Sequence, residues 1–175
     1  MNIFIEILSI TKLNNLLDND LIIISDVDEI PDPSKLKLIK NGTIVVDTGI
    51  SLVQDLYYYN INCYISKWNL SKIVTYKEYC KTTPQQIRLT NYVNQDNMGW
   101  HLSYFGDAHF ISNKIKEFSH QEYNNDTYTS LESISNVMNN CKDVYNRPEV
   151  LLKHISLENN TYLPPKYLNL PLQKK

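Results

Sequence analysis

The chain has 175 residues, 42% of them hydrophobic, and a net charge of −2. That is enough apolar material for one ordinary domain, and it lacks the basic surplus that nucleic-acid binding requires. With only four glycines it holds no extended glycine-rich phosphate loop, and neither a dinucleotide fingerprint nor a P-loop occurs.

In chain order, Ile3, Ile7, Ile10, Leu13, Leu16 and Leu17 recur at helical spacing and predict an amphipathic helix over residues 2–17. Leu21 to Ser25 are apolar and mostly β-branched, as in a strand buried on both faces of a parallel sheet. Pro31 and Pro33 stop that strand. "DPSKLKLIKNG" then predicts a helix with Asp32 as N-cap, Pro33 at its first position and Gly42 just past its end. Short strands follow at "TIVVDTG" and "LYYYNINCYI". "SKIVTYKEYCK" reads equally as strand or helix, and "TTPQQIRL" opens a helix at Thr83-Pro84. "GWHLSYFG" is a strand with a turn after it. "DAHFISNKIKEFSH" places Phe110, Ile111, Ile115 and Phe118 at helical offsets, and "SLESISNVMNNC" is another helix. "LPPKYLNLP" is an extended, proline-punctuated ending. No linker or repeat interrupts the pattern, so residues 1–175 read as a single α/β domain.

Cys63, Cys80 and Cys141 are odd in number and widely spaced, which predicts reduced, mostly buried thiols. No apolar run is long enough to span a bilayer. The N-terminus lacks the basic leader and cleavage site of a signal peptide, and the default compartment is cytoplasmic. Four Asn-X-Ser/Thr triplets, at Asn41, Asn69, Asn125 and Asn159, are what chance produces in so Asn-rich a chain.

Chemistry concentrates at "DLIIISDVDEIPDPSKL", where the buried strand runs into Asp26, Asp28 and Glu29. In extended backbone, residues two apart point to the same side. Asp26 and Asp28 would then supply the hard oxygen ligands that Mg²⁺ or Mn²⁺ prefers, with positions left for a substrate diphosphate. Ligands of open α/β sheets bind beyond the carboxyl ends of strands, where this pair falls. The competing reading is a plain turn, since acidic residues are common between strand and helix.

"IIISDVDEIPDPSKL" resembles the segment that carries the D-x-D of glycosyltransferase family 17, the β-1,4-mannosyl-glycoprotein β-1,4-N-acetylglucosaminyltransferases. "LYYYNIN", Trp68 and "TTPQQIR" are similar to the family's middle, "MGWHLSYFGDAHFISNKIKEFSHQEYN" to its most distinctive block and "YLPPKYLNL" to its ending. The likeness runs over about residues 15–172, its motifs in order and at matching spacing. It implies a GT-A-type nucleotide-sugar-binding α/β fold. The reaction it implies is inverting transfer of N-acetylglucosamine from UDP-GlcNAc to a mannose-containing glycan. Asp26 and Asp28 would hold Mn²⁺ or Mg²⁺ against the UDP diphosphate, and Glu29 would touch the donor sugar or brace the metal shell.

Members of the family carry more chain before the D-x-D. The resemblance therefore implies that the first uridine-binding strand is missing, leaving a fragment, a version that borrows the absent part, or an inactive glycan- or partner-binding domain. An exposed sheet edge would then favour self-association. Animal members work in the Golgi lumen.

The distinctive block supplies further candidates. His101 and His120 could ligate the metal or bond a phosphate oxygen. Glu122 and Asp107 are the candidate general bases for the acceptor hydroxyl. Arg88 and Lys114 could offset phosphate charge. Tyr59 with Asn60 could line a sugar, and Trp100 is either a stacking platform or core. A haloacid-dehalogenase-type phosphohydrolase also places D-x-D after an apolar strand, but Ile30 stands where that class commonly has Thr or Val, and no later acidic pair with a preceding Lys follows.

Overall fold

The computed structural model describes residues 3–6, 15–117, 121–165 and 167. It contains two compact units. One holds the residues through Asp55 together with Lys67–His101, and the other holds Leu56–Ser66 and Leu102–Pro165.

The first unit is built on a mixed five-stranded sheet. Its strands are β1 (Ile3–Glu6), β2 (Leu21–Ile24), β4 (Gly49–Leu52), β7 (Lys72–Thr75) and β8 (Val93–Gln95), in the order β1-β2-β7-β4-β8. β2 pairs parallel with β1 and antiparallel with β7. All four residues of β2 are buried. Leu21 and Ile23 pack on one face with Ile39, Ile50, Leu52, Ile73 and Met98, and Ile22 and Ile24 pack on the other with Val74 and Ile87. At about 1.5–3 kcal/mol per buried aliphatic side chain, this strand is the apolar anchor of the unit. The expected N-terminal helix is corrected in part: residues 3–6 are a strand, residues 15–20 are bend and turn, and residues 7–14 lie outside the described residues. A strand parallel to β2 thus stands ahead of the D-x-D.

Past β2 come β3 (Glu29–Pro31) and helix α1 (Pro33–Lys40). The Asp32 carboxylate accepts from the Ser34 amide at 2.8 Å as N-cap, and Gly42 takes φ +80° beyond the helix end. Local chemistry was sufficient here, because cap, proline and glycine all act within one turn. "TIVVDTG" is not a strand over its length: pairing begins only at Gly49 and continues to Leu52. "SKIVTYKEYCK" is both predicted things in turn, β7 followed by the one-turn helix α2 (Tyr76–Tyr79). Helix α3 (Pro84–Leu89) has a full capping box between Thr83 and Gln86.

β9 (Gly99–Ser103) pairs antiparallel with β3, setting Glu29 opposite His101 and Pro31 opposite Gly99. Gly99 is required there. Its φ is +145°, and a Cβ would fall 2.1 Å from the Ile30 carbonyl oxygen.

The chain passes between the units inside β5 (Gln54–Tyr58), β6 (Cys63–Trp68) and β9. The second unit holds helices α4 (Ala108–Glu117), α5 (Asp126–Thr129) and α6 (Leu131–Asn139) and the two-residue strand β10 (Lys153–His154), which pairs with β6. Its core joins Ile111, Ile115, Ile134 and Val137 to Tyr59, Tyr104 and Tyr145. Phe110, placed on the apolar stripe by spacing, is half exposed, and Phe118 lies outside the described residues.

The cysteine reading is corrected. Cys63 and Cys141 form a disulfide with Cα atoms 5.5 Å apart, and only Cys80 is free, and it is exposed. The 78-residue separation concealed the pairing, because proximity came from the packing of the second unit and not from local spacing. Among the described residues no helix is long and apolar enough to cross a membrane.

Candidate functional site: the aspartate turn and its buried brace

The end of β2 drops directly into a tight turn. The Glu29 amide donates to the Asp26 carbonyl at 3.0 Å, closing residues 26–29. The backbone is therefore not extended between Asp26 and Asp28, and the same-side argument drawn from period two does not apply. Each aspartate has its own partner. Asp26 Oδ2 takes a hydrogen bond from Arg88 Nη2 at 2.7 Å, and Asp28 Oδ1 lies 3.4 Å from His101 Nε2. Both keep solvent access, with side chains 42% and 21% exposed.

Glu29 behaves differently. Its side chain is fully buried and accepts five hydrogen bonds. Arg88 Nη1 and Nη2 donate to its two oxygens at 2.8 and 3.0 Å. Trp68 Nε1 donates at 2.5 Å, Ser71 Oγ at 2.7 Å and the Asp26 amide at 2.8 Å. With its lone pairs taken up in this way, Glu29 presents no acceptor to a sugar. It braces the turn through the Asp26 amide and through Arg88, which also holds the Asp26 carboxylate. Ser71 has one hydroxyl proton, which goes to Glu29. Gln54 Oε1, also fully buried, lies 3.2 Å from the same hydroxyl as its alternative acceptor, while Gln54 Nε2 has no hydrogen-bond partner.

Arg88 reaches the brace because α3 ends against the sheet. Ile87 is buried beside Ile22, Ile24 and Val74, and the next residue carries the guanidinium inward. The expectation that Arg88 offsets ligand phosphate is revised, since its side chain is 8% exposed and spent on two carboxylates. Lys72, also buried, donates to Ser51 Oγ at 2.8 Å and to the Asn69 carbonyl.

The electrostatics follow from this asymmetry. Burial pushes the Glu29 carboxyl up, but Arg88, Ser71, the Asp26 amide and Trp68 outweigh it and hold the group below its ordinary range. Asp26 goes the other way: burial and the neighbouring Glu29 charge raise its carboxyl in spite of Arg88, and Asp28 adds to the effect. Two carboxylates share the Arg88 guanidinium and a third, Asp28, lies close by, so Asp26 favours a further positive charge nearby. Among the described residues no three His, Cys, Asp or Glu side chains are arranged to hold a metal ion. The donor set of Asp26 and Asp28 is two hard, solvent-reachable oxygen groups, the first paired with Arg88 and the second 3.4 Å from His101 Nε2. That fits a cation such as Mg²⁺ or Mn²⁺, which keeps several positions for water and phosphate.

The remaining candidates are dispersed. His101 is buried against the edge of the Trp68 ring, 4.8 Å between centroids, and its Nδ1 has no hydrogen-bond partner. His120 lies outside the described residues. Asp107 and Glu122 belong to the other unit. Asp107 accepts from the Phe110 amide at 2.8 Å and so caps α4, while Glu122 is exposed on a single 3₁₀ turn. Tyr59 is corrected from sugar contact to core: it is buried and donates to the Lys142 carbonyl at 2.8 Å. Trp100 is core as well. Lys114 lies over the Tyr104 ring. Trp68, Ser71 and Gln54 were not anticipated as part of the site, for they lie far from the D-x-D in sequence and only the indole of Trp68 marked itself out.

The family model of glycosyltransferase family 17 matches residues 4–154, which contain the aspartate turn, the brace and the aromatic second core. The chain belongs to glycosyltransferase family 17. No curated protein and no solved structure matches it. The match reaches past the N-terminal limit assigned from motifs, and it stops before "YLPPKYLNL". It sets aside the phosphohydrolase reading, because the D-x-D now stands inside a transferase family.

Proposed function

We propose that this family 17 glycosyltransferase is metal-dependent and transfers N-acetylglucosamine, with inversion, from UDP-GlcNAc to a mannose-containing glycan on a GT-A-type fold. The observation that carries the reading is the aspartate pair just beyond the buried end of β2, inside the family match. Asp26 and Asp28 would hold Mn²⁺ or Mg²⁺, and a bound ion of this kind offsets charge that develops on the leaving diphosphate. The chain's own contribution is to keep that pair partly solvated and negatively biased on a turn fixed from below by Glu29. His101 bears on Asp28 and limits its orientation. For the proton of the acceptor hydroxyl Glu122 and Asp107 stay the proposed bases.

The Cys63–Cys141 bridge favours an oxidising compartment over the cytoplasmic default, because such bonds persist where thiols are not kept reduced.

Calorimetric titration with UDP-GlcNAc tests the reading. Binding that Mn²⁺ strengthens at least tenfold, a gain that Asp28→Ala abolishes, with sugar transfer to a mannosyl acceptor, is the expected result. Equal affinity in EDTA, or in Asp28→Ala, would overturn it. Binding of this kind without transfer would point instead to a glycan- or partner-binding domain.

A further inference from the structure

We propose that Arg88 is the positioning residue for Asp26, acting on the metal-binding aspartate and not on the ligand, and that it does so because Glu29 holds it. The inference rests on the reading of Asp26 and Asp28 as the carriers of a metal–diphosphate.

Both halves of the contact are mounted on one apolar cluster. Ile24 lies two residues before Asp26, Ile87 lies immediately before Arg88, and the two isoleucines share a core with Ile22 and Val74. The distance between the turn and the guanidinium is thereby fixed by side chains that are at most 3% exposed. An aspartate on a solvent-facing turn otherwise samples several rotamers, and a charge-assisted bond of 2.7 Å selects one. The selection depends on fork geometry. Nη1 serves Glu29 Oε2, while Nη2 serves both Glu29 Oε1 and Asp26 Oδ2. A lysine ammonium has the charge but not the planar pair of nitrogens that bridges two carboxylates at once.

The same geometry keeps Arg88 from acting on phosphate. To reach a ligand it would have to leave Glu29, stranding a fully buried carboxylate. Ser71, Trp68 and the Asp26 amide complete the set of donors that fixes Glu29 in turn, so the support runs from the β7 region through Glu29 and Arg88 to Asp26.

The test measures UDP affinity, with saturating Mn²⁺ and with EDTA, and the Mn²⁺ concentration giving half-maximal UDP binding. It compares wild type, Arg88→Lys and Glu29→Gln, each held below its melting midpoint. Glu29→Gln leaves Arg88 and both aspartates intact and serves alone if Arg88→Lys does not fold. The expected result is at least a tenfold rise in the Mn²⁺ requirement in both variants, with the metal-free affinity for UDP unchanged. Variants that melt earlier yet need no more Mn²⁺ than wild type reduce Arg88 to a stability element and overturn the proposal. An equal loss of UDP affinity in EDTA overturns it too, by assigning Arg88 to the phosphate. If wild type shows no Mn²⁺-dependent UDP binding, the metal reading itself fails and takes this inference with it.

Discussion

Glu29→Ala is the sharpest perturbation of the brace. It removes an acceptor of five hydrogen bonds and leaves the Arg88 guanidinium, 8% exposed, facing only a partly solvated aspartate. Removing one partner of a buried ion pair costs about 3–5 kcal/mol, mostly through the charge left behind. Ser71 can recover part of the loss through Gln54, and Asp26 still balances part of the Arg88 charge, so we expect about 4 kcal/mol. At roughly 2–4 °C per kcal/mol for a chain of this size, the melting midpoint falls by about 8–16 °C. Urea denaturation followed by far-ultraviolet circular dichroism measures the difference without relying on Trp68 fluorescence, which the substitution also alters. The pH dependence supplies a second check. The Glu29 carboxyl is held below its ordinary range, so its stabilisation is complete above the unfolded value of about 4.3 and is lost as pH falls through the lower folded value. The gap between wild type and Glu29→Ala should therefore be constant near neutrality and narrow in acid. A loss under about 1 kcal/mol, within the range of an exposed pair, would refute the picture of a desolvated brace.

Two further outcomes follow from the second unit. Reduction of Cys63–Cys141, or replacement of both by Ser, should cost about 4.5 kcal/mol, as loop-closure entropy gives for a bridge of this span; alkylation of the unreduced, unfolded chain that labels three cysteines instead of Cys80 alone would disprove the bond. Tyr59, Tyr104 and Tyr145 have their hydroxyls pushed up by burial, so the stability tied to their neutral forms is intact below about pH 10 and lost as pH rises through their folded values. Absorbance titration should show these three ionising only as the dichroism collapses, whereas reversible ionisation of all thirteen tyrosines with the fold intact would contradict the buried network.

Read from the sequence alone, several elements were fixed because their causes are local. Asp32, Pro33 and Gly42 delimit α1 within a few bonds of themselves. Thr83, Pro84 and Gln86 do the same for α3, and the apolar, mostly β-branched run Leu21–Ile24 suits a strand buried on both faces. The D-x-D and the order of motifs around it were likewise enough for the family. Tertiary structure alone decided what those charges do. It turned the backbone at Asp26–Glu29 out of the extended form, buried the third carboxylate beneath the first two, and took Arg88 from candidate phosphate ligand to brace. It also placed Asp107 on a helix cap, Tyr59 in a core and Cys63 beside Cys141. In each case the deciding partner lies about 40 residues or more away or depends on a cap or turn formed only in the folded chain. A charge's role is set by what desolvates it and what answers it, and spacing along the chain carries neither.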